Sequence, residues 1–364
     1  MRWNKQLAAF LLCVSASLAS AQTSPPQTSP PQTSPSHDRF VHQKKYVMGT
    51  VFEIVAYSPN GETPARTSYA VDRAFGEIVR LDNVMSDYKA ESALSRLNRS
   101  SHSRPEPVPS DLYCVIGDAL RYSRLSGGKF DVTVGPLVKL WKAAIRGGPA
   151  PSAAEEEKVR SCVGYQKVEL LPPNLVQFQS PCVQIDLGAI GKGYALDQAA
   201  AVLRSHGISR ALLDAGGSTM VAMGPPPGQQ GWLVHLRDPS SKVDPVVMLS
   251  DSSVSTSEQT PASLLSPEPA GHIIDPDKGV PVKAPFAVSV VAGSGTASDA
   301  LSTTLLLLGP EKGKELVKSQ PGVAAIWISG DGRSELVSSG PRLLINGAAQ
   351  GPSTSARTTQ GGLR

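Results

Sequence analysis

Asp299 and Thr303 lie four residues apart in AGSGTASDALSTTLLLLG, where a turn rich in glycine and alanine at Gly295 runs into an apolar helix. Residues so spaced project side by side from a helix, one turn above the other. A carboxylate and a hydroxyl in that arrangement can share one hard, oxygen-preferring cation. The start of the same helix offers unpaired N–H groups to an anion. The segment therefore suggests a divalent metal beside a phosphate site. The plainer reading, an Asp that merely caps a helix, is the commoner outcome for such a segment.

Other segments carry weaker signals. In Gln184-Ile-Asp-Leu-Gly-Ala-Ile-Gly-Lys-Gly-Tyr-Ala a strand runs through a glycine-punctuated turn into a helix. Gly188, Gly191 and Gly193 would let backbone approach a ligand, and Lys192 sets a cation near the helix start. The spacing is neither a Walker loop nor G-x-G-x-x-G. Asp186 either holds a ligand or caps the turn. Leu213-Asp-Ala-Gly-Gly-Ser-Thr is a bulge with close backbone approach or a tight bend between strands. His272 and Asp275 flank two isoleucines, so a strand would set them on opposite faces. His272 is the best-placed histidine for proton transfer, with a structural ring as the plain alternative. Phe130 and Asp131, in the loop after Gly127-Gly128, face a planar ligand or simply end a helix. Tyr88, in a polar loop before a short helix, is placed to stack on a ring.

The elements that must position these residues are mixed. A strand is expected over Tyr46–Tyr57, and an amphipathic helix over Ala65–Leu81 from Ala70, Ala74, Phe75, Ile78 and Leu81. Ser110 is expected to cap a second helix ending at Gly127-Gly128. Ser152 and Glu155 have capping-box spacing for a third that stops near Gly164. Short strands are expected around Val168, Phe178 and Ile185, then a helix from Lys192 to Ser205. Strands follow near Leu212, Met220, Val234, Met248 and Val254, and at Ala287–Val291 ahead of the Asp299 helix. Val323–Ser329 and Glu335–Val337 flank Gly330-Asp331-Gly332 as a hairpin. Helices packed on largely antiparallel sheets define an α+β class.

Arg2 and Lys5, an apolar run from Leu7 to Leu18 and Ala19-Ser20-Ala21 read as a secretory signal peptide over residues 1–21. Leu12 before Cys13 argues against a lipobox, and no other segment reads as membrane-spanning. The Gln-Thr-Ser-Pro-Pro repeat makes 22–39 a solvated linker. The folded body is 40–345, with a disordered tail at 346–364. The net charge of +4, with no basic run interleaved with aromatics, does not suggest nucleic acid. Cys114, Cys162 and Cys182 fit neither a zinc site nor C-x-x-C. Three reduced, partly buried thiols are the expectation, and a Cys162–Cys182 bond is the alternative.

Taken in order, Met48-Gly-Thr, Ser86-Asp-Tyr with Leu94-Ser-Arg-Leu-Asn, Phe130-Asp-Val-Thr-Val-Gly-Pro-Leu, Ile185-Asp-Leu-Gly-Ala-Ile-Gly-Lys-Gly-Tyr-Ala, Ala215-Gly-Gly, His272-Ile-Ile-Asp-Pro and Asp299-Ala-Leu-Ser-Thr resemble the ApbE family, from about Tyr46 to Ile328. The resemblance implies a fold of largely antiparallel sheets and packed helices in two intimately associated lobes. It implies a Mg2+-dependent FAD:protein FMN transferase that cleaves the FAD pyrophosphate, joins FMN to a Thr or Ser hydroxyl of an acceptor flavoprotein and releases AMP. Carried onto matching positions, it implies that Asp299, Thr303 and the Ala189 carbonyl bind magnesium. Met48, Tyr88, Lys129, Phe130, Asp131, Asp186, Lys192 and Ile273 would line the FAD site, and His272 would be the catalytic base. It also implies export, to the periplasm or the outer face of the cytoplasmic membrane, with an association with that membrane. The alternatives are an FAD pyrophosphatase and a non-enzymatic flavin-binding protein of the envelope. Two departures touch the acceptor side more than the metal side. Ser218 stands where many relatives have Asp, and Glu258 stands where many have Gly, ahead of a loop with Pro261, Pro267 and Pro269.

Overall fold

Phe52, Ile54 and Ala56 are fully buried while Val51, Glu53 and Val55 face outward, the period of a half-buried strand. The computed structural model describes residues 40–146, 148–259, 272–340 and 344–345. In it this strand is β2 (Thr50–Tyr57), paired with β1 (Phe40–Val47) across a turn at Met48 and Gly49, both at positive φ. The single strand expected from Tyr46 is thus a hairpin. The expected signal, linker and tail, and the proline-bearing loop 260–271, lie outside the described residues.

Next come α1 (Pro64–Met85), α2 (Ala93–Ser100), β3 (Glu106–Pro107), α3 (Ser110–Leu125), α4 (Gly135–Ile145) and α5 (Ala153–Arg160). Strands β4 (Val168–Leu171) and β5 (Leu175–Phe178) lead to α6 (Gly191–Ser205). They are followed by β6 (Ala211–Ala215), β7 (Thr219–Met223), β8 (Trp232–His235), β9 (Pro245–Leu249) and β10 (Ser252–Glu258). The chain continues through β11 (Ile274–Asp275), β12 (Val280–Pro281), β13 (Phe286–Ala292), α7 (Gly295–Lys318), β14 (Ala324–Ser329), β15 (Ser334–Ser338) and β16 (Leu344–Ile345).

Eight strands form one antiparallel sheet in the order β1-β2-β6-β7-β10-β13-β14-β15. Strands β7 and β14 are buried on both faces. Ala325 and Trp327 of β14 join the core beneath the helices, while Ala324, Ile326 and Ile328 join a second cluster with Trp232, Val234 and Val247 of β8–β9. Helices α1, α6 and α7 cover the first face. The small sheet β3-β5-β4 with α2 to α5 makes the second lobe. One core runs through both lobes, with Val115, Ile116, Val176 and Phe178 continuous with Ile54 and Val290. The α+β class and the intimately packed lobes are as the sequence implies.

Several local expectations are corrected. Ser110 is the first helical residue of α3, behind Pro109, and does not cap it. The loop after Gly127-Gly128 gives way at Gly135 to a helix that was not expected, α4, opened by Pro136 in the first turn and anchored by Leu137, Trp141 and Ala144 against Ile274. Ile185 lies in no strand; Asn98 instead clasps its N–H and C=O at 2.8 and 2.9 Å, and Gln184 makes a lone parallel bridge to Val134. Cys162 and Cys182 are disulfide-bonded rather than reduced, and Cys114 is exposed. Helix α7 breaks at Gly309, φ 74°, ahead of Pro310. Among the described residues no helix is long and apolar enough to cross a membrane.

Candidate active site

Helices α6 and α7 cross at their first turns, and glycine makes the crossing feasible. A Cβ on Gly193 would lie 2.1 Å from the Gly295 carbonyl oxygen and 2.8 Å from the Asp299 Cβ. A Cβ on Gly295 would lie 2.6 Å from the Gly193 carbonyl oxygen. Each helix then sends a carboxylate to the other's start. Asp299 Oδ2 accepts from the Gly193 N–H at 2.9 Å. Asp197 accepts from the Gly295 and Thr296 N–H groups at 2.7 and 2.8 Å, and from the Thr296 hydroxyl at 2.6 Å. The Ser294 hydroxyl accepts from Ala297 N–H as the helix cap.

This overturns two expectations. Asp299 is not the cap of its own helix, and the first N–H groups of α7 are taken by Asp197 and Ser294 rather than open to an anion. Gly193 serves helix packing, not ligand approach; of the three glycines thought to admit a ligand, Gly188 lines the main pocket and Gly191 only the cavity beside it. The paired glycines Gly216 and Gly217, φ 66° and 69°, make the tight bend between β6 and β7. Gly216 has room only for hydrogen over Thr50, whose Oγ1 would stand 2.1 Å from a Cβ.

Asp299 and Thr303 are nearly buried yet both line a cavity of about 340 Å³. Asp299 Oδ1 accepts from the Thr219 hydroxyl at 3.2 Å, and Thr303 Oγ1 lies 3.2 Å from Ser257 Oγ. The same cavity gathers Tyr88, Lys129, Asp186, Ala189, Lys192, His272 and Ile273 from separate stretches of chain. Met48 lines an adjoining cavity of about 940 Å³, which shares Tyr88, Asp186, Lys192 and His272 with the first.

Each remaining candidate has a definite local role. Lys129 reaches Asp275 at 3.1 Å and Asp277 at 2.7 Å, fixing the loop after α3 to β11. Burial lowers its pKa, but those two carboxylates outweigh it and hold the pKa raised. Phe130 lines the cavity yet is largely buried, its ring edge-on to Tyr122. Asp131 is buried and organises the loop, accepting from Thr133 N–H and hydroxyl at 2.8 and 2.6 Å and from Tyr165 N–H at 2.7 Å. Burial raises its pKa against those bonds. Asp186 accepts from Gly188 N–H at 2.7 Å, and crowding by protein raises its pKa, with the charge of Asp87 adding to that. Tyr88 is exposed and carries the Lys142 ammonium 4.9 Å over its ring. His272 keeps contact with solvent at the pocket mouth. Loss of hydration there and the charge of Lys192 lower its pKa below 6.5, which keeps the ring neutral near pH 7. Asp275, buried on the Lys129 side, is not its partner.

No cluster of three or more His, Cys, Asp or Glu side chains is disposed to hold a metal among the described residues. One carboxylate, one hydroxyl and a nearby carbonyl still suit magnesium, which keeps several waters and takes phosphate oxygens. The set includes no imidazole or thiolate, the donors that zinc sites favour.

Sequence reasoning missed Asp197, and also Arg237, whose guanidinium pairs with Glu258 at the pocket wall. It missed Gln259, which holds the Ile273 backbone through both amide atoms. Ser218 and Glu258, the two departures, line the same cavity as Asp299 and Thr303, and Thr256 lines it with them. The run Ser255-Thr-Ser on β10 facing Ser302-Thr-Thr on α7 was the available signal, since buried apolar elements rarely carry so many hydroxyls.

The architecture is that of a flavin transferase: the chain matches the solved flavin transferase ApbE from Vibrio cholerae at TM-score 0.73 and 28% identity, over 83% of this chain and 98% of that one. The ApbE family profile matches residues 48–327, and the chain belongs to the ApbE family. It is 33% identical over 267 residues to the FAD:protein FMN transferase of Escherichia coli K12, covering 70% of this chain and 74% of that protein. It is 33% identical over 314 residues to that of Treponema pallidum, covering 79% and 84%.

Proposed function

We propose that this chain is an FAD:protein FMN transferase, as its relatives are named. The observation that carries the reading is the convergence of Asp299, Thr303, Lys192 and His272 on one cavity, beside a second that shares Lys192 and His272 with it. A dinucleotide can place one ring system in each cavity, with its pyrophosphate at the junction near Lys192 and His272. Tyr88 offers an exposed ring face for stacking, and Asp186 and the backbone at Lys129 to Asp131 and Ile273 supply polar edges.

The acceptor's Thr or Ser oxygen attacks the phosphorus on the FMN side, its proton passes to the neutral imidazole of His272, and the bond to AMP breaks. Lys192 offsets charge that grows on the phosphate oxygens. Magnesium held by Asp299, Thr303 and the Ala189 carbonyl supplies further charge neutralisation when bound. An exported location, periplasmic or on the outer face of the cytoplasmic membrane, is supported by the N-terminal pattern of Arg2, Lys5 and Leu7 to Leu18. The Cys162–Cys182 bond fits such an oxidising compartment.

The test is incubation with FAD, Mg2+ and a candidate acceptor flavoprotein, followed by in-gel flavin fluorescence. A fluorescent acceptor band is expected from the wild type, and a loss of about a thousandfold in rate from His272→Ala. Free FMN and AMP with a dark acceptor band would assign the protein to FAD hydrolysis instead.

A further inference from the structure

Six buried oxygens run in an unbroken chain beneath the pocket, from Asp299 round to Thr303. The Thr219 hydroxyl stands 3.2 Å from Asp299 Oδ1 and 3.0 Å from Ser255 Oγ. Ser255 Oγ stands 3.2 Å from Ser302 Oγ, which is 2.8 Å from Ser257 Oγ. Ser257 Oγ stands 3.2 Å from Thr303 Oγ1. The four intervening residues come from β7, β10 and α7, and none is more than 9% exposed.

A hydroxyl has one proton to give and lone pairs to receive, so the bond from the Thr219 hydroxyl to Asp299 Oδ1 at one end sets the direction of the rest. Thr219 donates to Asp299, since a carboxylate only accepts. Ser255 therefore donates to Thr219. Ser302 has one proton and two acceptors on that side, Ser255 Oγ at 3.2 Å and the Asp299 carbonyl at 3.0 Å, and shares it between them, which leaves none for Ser257. The 2.8 Å contact then requires Ser257 to donate to Ser302, and Thr303 donates to Ser257. Thr303 is left with its proton turned inward and its lone pairs free toward the cavity.

We infer that Thr219, Ser255, Ser302 and Ser257 are positioning residues: a directional hydroxyl relay anchored on Asp299 that presents the Thr303 oxygen to a divalent cation as a pre-oriented acceptor. The inference rests on the reading of Asp299 and Thr303 as cation ligands, and deepens it. The two ligands are coupled through the sheet as well as by their spacing on α7. Outer-shell partners of this kind are worth about 10–100-fold in metal affinity.

The experiment measures Mn2+ binding to the full chain, from the free-ion electron paramagnetic resonance signal, with melting temperature recorded for each variant. Ser302→Ala and Ser257→Ala are expected to weaken Mn2+ binding about tenfold. They should also raise the Mg2+ concentration needed for half-maximal AMP release, with kcat at saturating Mg2+ little changed. Thr219→Val should do the same and Thr219→Ser should restore binding. Thr304→Ala is the control, because its hydroxyl bonds the Ala300 carbonyl on the same helix and lies outside the relay. Wild-type affinity in Ser302→Ala and Ser257→Ala, with binding lost in Asp299→Ala, overturns the relay and leaves the ligand assignment standing. Wild-type affinity in Asp299→Ala, or no binding by the wild type, overturns the ligand assignment and the relay with it.

Discussion

Asp197 and Asp299 are twins by position. Each follows a glycine by four residues at the start of a helix, Gly193 in α6 and Gly295 in α7, and each binds the first turn of the opposite helix. Their surroundings differ. Asp197 takes three bonds from Gly295 and Thr296 and does not line the pocket. Asp299 takes one from Gly193 and one from Thr219, and lines the cavity with lone pairs to spare. The comparison teaches that helix spacing places a carboxylate, while the count of donors already around it decides whether it can serve a ligand.

The hardest blow to the pair is Gly193→Ala. Its Cβ would meet backbone at 2.1 Å, which no rotamer change relieves, so the helices must part. A stability loss of about 3 kcal/mol is expected from denaturant midpoints. A variant as stable as the wild type would break the account of the crossing. Asp197→Asn comes next, with a loss of about 2 kcal/mol for a helix start deprived of its charged acceptor. Asp299→Asn, which forfeits fewer bonds, should lose about 1 kcal/mol; the reverse order in thermal melts would invert the assignment of structural and functional twin.

Away from the twins, Tyr88→Ala removes an exposed ring from the mouth and should raise the KM for FAD about tenfold with little change in melting temperature. The smallest expected effect is on pH dependence. His272 must be neutral to accept a proton, and its pKa is lowered by loss of hydration and by Lys192. The rate therefore falls only as pH drops below the ordinary histidine value of 6.5. Lys192→Met removes one of those causes and should move the acid limb of kcat/KM upward, toward 6.5. A limb that stays in place in that variant would remove Lys192 from the electrostatics of the base.

Much of this was legible in the chain because local periodicity and tertiary packing agree. Phe52, Ile54 and Ala56 alternate as a strand, Ala70 to Leu81 repeat as a helix, and the Ser152–Glu155 box forms as its spacing demands. The ordered motifs also brought Asp299, Thr303, Lys192 and His272 to one pocket. What stayed hidden depends on contacts far apart in sequence. Asp197 reads as one more polar residue on a helix until α7 is laid across it. Gly193 looks like a ligand-facing glycine until Gly295 is seen against it. Phe130 and Asp131 line the cavity, but how their side chains are held is decided by Tyr122, Thr133 and Tyr165. The Cys162–Cys182 bond likewise waits on the fold, which sets their Cα atoms 5.2 Å apart.

The most direct measurement is AMP release from FAD by Asp299→Asn and Asp197→Asn side by side, at a temperature where circular dichroism shows both folded. Asp299→Asn is expected to lose about a thousandfold in rate, while Asp197→Asn stays within a few-fold of the wild type. Equal rates from the two variants would contradict that expectation.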